Sequence, residues 1–190
     1  GEVTSGLRLI TWVLPATSVP KLFRNTLKEM NISKGAGKLC ASSKLTTTVC
    51  IKLQMDSEAV QKLEKTRLLY LDACNFLVKY VCRDPKERNW QRYNLHHAAY
   101  YDLRSALPAL GSQLACNAIR SVSSAYKTEL VNHPRKNKTE PLKEIVFKNP
   151  SIHLDKNTIA YQADMSEANV FTIDGRVRVR LCPGDFQKRL

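Results

Sequence analysis

The chain has 190 residues, 43% of them apolar and 25% charged, so it can bury the core of one ordinary domain or two small ones and is not wholly disordered. Its 30 Lys and Arg against 17 Asp and Glu give a formal charge of +13. That surplus concentrates polyanions, namely nucleic acid, anionic membrane or acidic polysaccharide, although a solvated basic surface with no polyanion partner is the bland alternative.

Along the chain, residues 1–45 carry seven basic and two acidic residues, are punctuated by Pro15 and Pro20, and show no chemistry-bearing pattern. Leu7–Leu14 is apolar but short, is interrupted by Arg8, and lacks a cleavage site, so neither a secretory signal nor a membrane span is expected. Thr46–Met55 alternates Val49, Ile51, Leu53 and Met55 with polar or small residues, which predicts a strand. Asp56-Ser57-Glu58 then resembles a helix start, and Val60, Leu63, Tyr70, Cys74, Leu77 and Val81 recur at helical steps up to Asp84-Pro85. Arg67 sits on that stripe and belongs at its edge, because an unpaired buried guanidinium is costly.

Further helices are predicted over residues 95–106 and 112–130, separated by Pro108 and Gly111, and Asn132–Glu140 reads as a charged loop. Strand signals return in Ile145–Phe147, in Ser151–Leu154 and Thr158–Tyr161 around Asp155-Lys156-Asn157, and in Asn169–Ile173 and Arg176–Leu181 around Asp174-Gly175. A lone strand cannot bury itself, so the first strand is expected to return to the later ones with the helices between. The fold class is therefore α+β, a small β-barrel or curled sheet with a helical insertion.

Catalytic and metal patterns are weak. His96 and His97 are adjacent and point about 100° apart on a helix, so they cannot chelate one ion together. Six cysteines are scattered without a CxxC, which disfavours structural zinc and predicts reduced thiols in the cytoplasm (nucleoid-associated in a prokaryote). No P-loop, nucleophile elbow or dinucleotide turn occurs, and Asp155, Asp164 and Asp174 read as turn residues. No catalytic residue, cofactor or metal is expected.

Two basic features carry more. In the last strand Arg176, Arg178 and Arg180 alternate with Val177, Val179 and Leu181, which sets guanidinium groups about 6.6 Å apart on one face. Such spacing suits a phosphate backbone, and a solvated edge that blocks aggregation is the alternative. Ser112 and Gln113 open a helix that continues through Asn117 and Arg120, a placement that fits either base edges and phosphate or a plain cap.

Three segments in order resemble the front half of the TnpB proteins, the transposon-encoded RNA-guided nucleases related to type V CRISPR effectors. They are Leu68–Phe76 (LLYLDACNF); Leu110–Gln113 leading into Ala118-Ile119-Arg120 and Ala125-Tyr126-Lys127; and Ser151–Leu154 with Phe171–Val179 (FTIDGRVRV), followed by Asp185-Phe186-Gln187. The resemblance covers residues 46–190. It implies an OB-like β-barrel, the wedge domain (46–56 and 141–190), with an inserted α-helical recognition lobe (57–140). It also implies binding of a guide RNA and of a double-stranded DNA target beside a short motif.

Carried over, Asn75, Lys79, Ser112, Gln113 and Asn117 would face DNA. Arg120, Lys127, Arg135, Lys136, Lys138, Arg176, Arg178 and Arg180 would face RNA. The family's RuvC-like nuclease domain and four-cysteine zinc motif have no counterpart in these residues, so cleavage is not expected of this chain. The alternative is a stand-alone basic RNA/DNA-binding regulator or adaptor whose residues 1–45 dock a protein partner.

Overall fold

Asp56 fixes where the first helix begins. Its backbone is extended and its Oδ1 accepts from the N–H of Ala59 at 2.7 Å, satisfying one of the donors that every helix start leaves open. The computed structural model describes residues 8–9, 51–83, 89–135, 141–149 and 151–184. Within them lie β1 (Arg8–Leu9), β2 (Ile51–Gln54), α1 (Ser57–Cys82), α2 (Arg92–Ala106), a 3₁₀ turn (Pro108–Leu110), α3 (Ser112–Asn132), β3 (Ile159–Tyr161), β4 (Glu167–Thr172) and β5 (Gly175–Cys182). Residues 1–7 and 10–50, and so the start of the expected first strand, lie outside the described residues, as do Lys136, Lys138 and Asp185–Gln187.

Met55–Arg180 form one compact unit. Its core is where the three helical stripes meet: Tyr70, Leu77 and Val81 of α1, Leu95, Ala99 and Leu103 of α2, and Leu114, Ala118, Ile119, Val122 and Tyr126 of α3 are all buried. The stripe expected of α1 is the buried face except at Val60, which is half-buried. Two phenols enter this core with partners: Tyr70 shares a 2.8 Å hydrogen bond with Ser121, and Tyr126 lies 3.3 Å from the Cys82 thiol. Burial pushes the pKa of both phenols up, and pushes the Cys74 thiol up to about 12. Arg67 is at the edge of the stripe as expected, bonded to both carboxylate oxygens of Glu64 (2.8 and 2.5 Å) and to Asn149 (3.1 Å).

The same unit contains an antiparallel sheet in which β3 pairs with β4 and β4 with β5. In the second unit β1 pairs antiparallel with β2. Within the first unit the order β5-β4-β3 has two different ends, so this sheet is open among the described residues. Among the described residues the fold is therefore mixed α+β, with three α-helices and an antiparallel sheet.

Three expectations shift. Ile145–Phe147 is not a strand: Phe147 donates to Asn75 Oδ1 at 2.9 Å and accepts from its Nδ2 at 3.1 Å, so a side chain replaces the ladder. Ser151–Leu154 is not a strand either, because Ile152 and Leu154 are used against the helical core. Asp155 closes the following turn by accepting from the N–H groups of Asn157 and Thr158, and β3 pairs with β4 instead. The last hairpin turns one residue early, over Ile173-Asp174, with Thr172 facing Gly175. Gly175 alone takes the positive φ, +102°, while Ile173 donates its N–H to Thr66 Oγ1 at 3.1 Å and Asp174 pairs with Lys65 at 2.8 Å.

Candidate nucleic-acid interface

β5 carries the expected alternation. Val177, Val179 and Leu181 are buried, while Arg176, Arg178 and Arg180 are exposed. Their cross-strand neighbours on β4 are Phe171, Asn169 and Glu167 respectively, so one carboxylate faces three guanidinium groups. That carboxylate is shared: Glu167 Oε2 accepts from Gln162 at 2.8 Å and lies 3.6 Å from Arg178 Nε. Arg176 donates to the Asn157 carbonyl at 3.0 Å, which holds the strand's first guanidinium near the β3 turn. The sheet thus presents a row of cations that its own acids do not neutralise.

A second constellation forms where the first two turns of α3 meet α2 and the segment 151–155. Gly111 at φ +76° starts α3, and Ser112 at its first turn is exposed. Gln113 donates its amide to Asp155 Oδ2, and Arg120 Nη1 donates to His153 Nε2 at 3.1 Å. His96 Nε2 lies 3.9 Å from the Cys116 thiol. Burial raises the pKa of that thiol, against the lowering fields of Arg92, Arg120 and Arg104. His153 is shifted down by burial first and then by Arg120 and Arg92.

Arg92 and Arg120 thus lower both groups and Arg104 lowers the thiol, while Asp155 raises both. Although partial burial opposes it, hydrogen bonds from the Asn157 N–H, Gln113 and Thr158 hold that carboxyl below its ordinary range. Among the described residues no carboxylate forms an ion pair with Arg92, Arg104 or Arg120.

Of the residues proposed from sequence to face DNA, Ser112 and Gln113 lie at this spot. Asn75 and Asn117 lie inward. Both ends of the Asn75 carboxamide are taken by Phe147, and Asn117 is 1% exposed with no hydrogen-bond partner for its Nδ2 among the described residues. Lys79 and Lys127 are exposed on α1 and α3, and Arg135 is half-buried beyond the end of α3. Arg120, assigned from sequence to RNA, sits with Gln113 rather than with the β5 arginines.

Sequence reasoning missed Arg92, His96, Arg104 and His153. Had the helix been started at Arg92, the steps to His96, Tyr100 and Arg104 would have placed all four on one face. His153 carries no local signal, since its partner Arg120 is in another element.

No protein-family model, curated protein or solved structure matches the chain. Among the described residues, fold and site define a mixed α+β protein with two arginine-rich surfaces, one on β5 and one where α2 meets α3. Among the described residues no group of three or more His, Cys, Asp or Glu is placed to hold a metal ion, and no helix is long and apolar enough to cross a membrane.

Proposed function

We propose that this chain is the recognition half of an RNA-guided DNA-targeting protein of the TnpB type, binding nucleic acid without cutting it. The observation that carries this reading is the one-sided arginine strand: Arg176, Arg178 and Arg180 face outward along β5 opposite a single, shared carboxylate. That row is assigned to the phosphates of guide RNA. Ser112 and Gln113, with Arg92, Arg104 and Arg120, are assigned to the target-adjacent duplex, where a helix start and unneutralised guanidinium groups meet. In this reading the sheet belongs to a wedge-type OB-like barrel, the helices are the recognition lobe inserted in it, and Asn75 and Asn117 support the lobe from inside.

The test is purification and binding of the chain itself. It is expected to copurify with RNA, giving a high 260/280 absorbance ratio, and to rebind a structured RNA in a salt-sensitive manner. Replacing Arg176, Arg178 and Arg180 together by Ala should weaken that binding at least about tenfold at physiological salt without loss of fold. Protein that elutes free of RNA and shows no salt-sensitive binding would overturn the proposal. A pull-down that captures a protein only when residues 1–45 are present, with RNA binding absent, would favour the adaptor reading.

A further inference from the structure

On the outer face of α2, Tyr93, His97 and Tyr101 serve neither the core nor the arginine site, while His96 and Tyr100 beside them reach Cys116 and the core. The helix's inner face is Leu95, Ala99 and Leu103, all 0% exposed. On the outside Tyr93 is 73% and Tyr101 79% exposed, and His97 between them is also exposed. The rings touch in sequence: Tyr93 and His97 have centroids 4.2 Å apart at 61°, His96 and Tyr100 stack at 4.7 Å and 13°, and Tyr100 meets Tyr101 at 5.4 Å. His96 and His97, at 5.9 Å, join the two halves. From Tyr93 to Tyr101 the helix rises about 12 Å, the length of about three stacked nucleotides.

We infer that this ridge is a stacking platform for unpaired bases of a nucleic-acid strand. Three observations choose that occupant over a protein. The exposed residues of α2 are Arg92, Tyr93, Asn94, His97, Ala98, Tyr101, Asp102, Ser105 and Ala106, so its large rings stand among small and polar residues with no exposed Leu, Ile, Val, Met or Phe beside them. Arg92 precedes the ridge and Arg104 follows it, and neither has an ion-pair partner among the described residues. The helix's one acid, Asp102, is engaged by the Tyr80 hydroxyl at 2.5 Å. Aromatic faces between cations are the pattern that holds single strands with little regard to sequence. The inference rests on the nucleic-acid reading above and adds which form of the polymer the ridge holds.

The experiment measures fluorescence anisotropy of the full chain with labelled oligothymidylate, oligouridylate, a base-free abasic strand and a blunt duplex, all of similar length. The proteins are the native chain, Y93A/Y101A, Y93F/Y101F and the triple Ala variant of Arg176, Arg178 and Arg180. The Ala pair should lose about tenfold or more on the two unpaired strands and stay within about twofold of the native chain on the abasic strand and the duplex. The Phe pair, which keeps the rings, should bind like the native chain. Whether the loss is larger on oligothymidylate or oligouridylate says which polymer supplies the bases.

Equal binding of the native chain and the Ala pair to both unpaired strands, with the arginine triple still impaired, would overturn the platform and leave the nucleic-acid reading standing. Equal losses on all four probes would also overturn it, since base stacking cannot act on a strand without bases. Absence of binding to every probe by the native chain would overturn both readings.

Discussion

The carboxamide of Asn75 is used at both ends on one residue, donating to the Phe147 carbonyl and accepting its N–H. Replacing it by Ala removes both bonds and leaves two backbone groups to find water, so Asn75→Ala should lower the unfolding free energy by about 2–3 kcal/mol. A thermal melt should fall by roughly 5–10 °C; an unchanged midpoint would show that the 141–147 segment does not depend on this contact. His153 makes a second residue-scale case. Burial and Arg120 hold its pKa below the ordinary 6.5, so the unfolded chain binds the proton more readily. The stability it contributes is complete above pH 6.5 and is lost as pH falls through the lower folded value. Protonation also removes the Nε2 lone pair that accepts from Arg120. His153→Gln should therefore lose less stability than the native chain between pH 7.5 and pH 5, read as denaturant midpoints; parallel losses would rule out this role. Neither residue's partner was legible in the sequence. Asn75 is singled out only by the resemblance, as a residue facing DNA; Phe147 lies 72 residues away, and only the fold brings them together.

At the scale of elements, local rules did well wherever they could act alone. The cap at Asp56, the start of α3 at Ser112 and the Val–Arg alternation of β5 each follow from a few neighbouring residues and stand as read. The β4–β5 turn departs from its local signal because distant groups select it. Ile173 and Asp174 are bonded to Thr66 and Lys65 of α1, and those contacts move the turn one residue forward. Ser151–Leu154 fails as a strand for a related reason, since its apolar residues pack on the helices. The turn makes its own prediction. A Cβ at Gly175 would meet nothing within 4 Å, so crowding cannot oppose Gly175→Ala, yet φ of +102° is strained for any L side chain. The substitution should cost about 1–2 kcal/mol, measured by chemical denaturation. A neutral result would mean that the hairpin re-registers to the Asp174-Gly175 turn that the sequence suggests, which hydrogen exchange along β5 would report.

For the molecule as a whole, the charge of +13 was legible at once, but its arrangement was not. A diffuse solvated coat and a set of ordered phosphate contacts have the same net charge and different salt dependence. Each phosphate neutralised releases counterions, so the logarithm of the binding constant falls with the logarithm of salt concentration by about 0.7 per contact on a single strand and about 0.9 on duplex DNA. The β5 row supplies Arg176, Arg178 and Arg180, and the second site supplies Arg92, Arg104 and Arg120; among the described residues only Arg178 of these six pairs with a carboxylate, that of Glu167 at 3.6 Å. If all six reach phosphates, the slope should be about −4 on single strands and about −5 on duplex DNA, or a loss of more than about a thousandfold on duplex between 50 and 200 mM salt. Removing the β5 arginines together should make the slope shallower by about 2 on a single strand, whereas removing three exposed lysines elsewhere should change it far less. A slope near −1, unchanged by the arginine triple, would mean that these guanidinium groups meet water rather than phosphate, and the basic surface would then be only a solubility device.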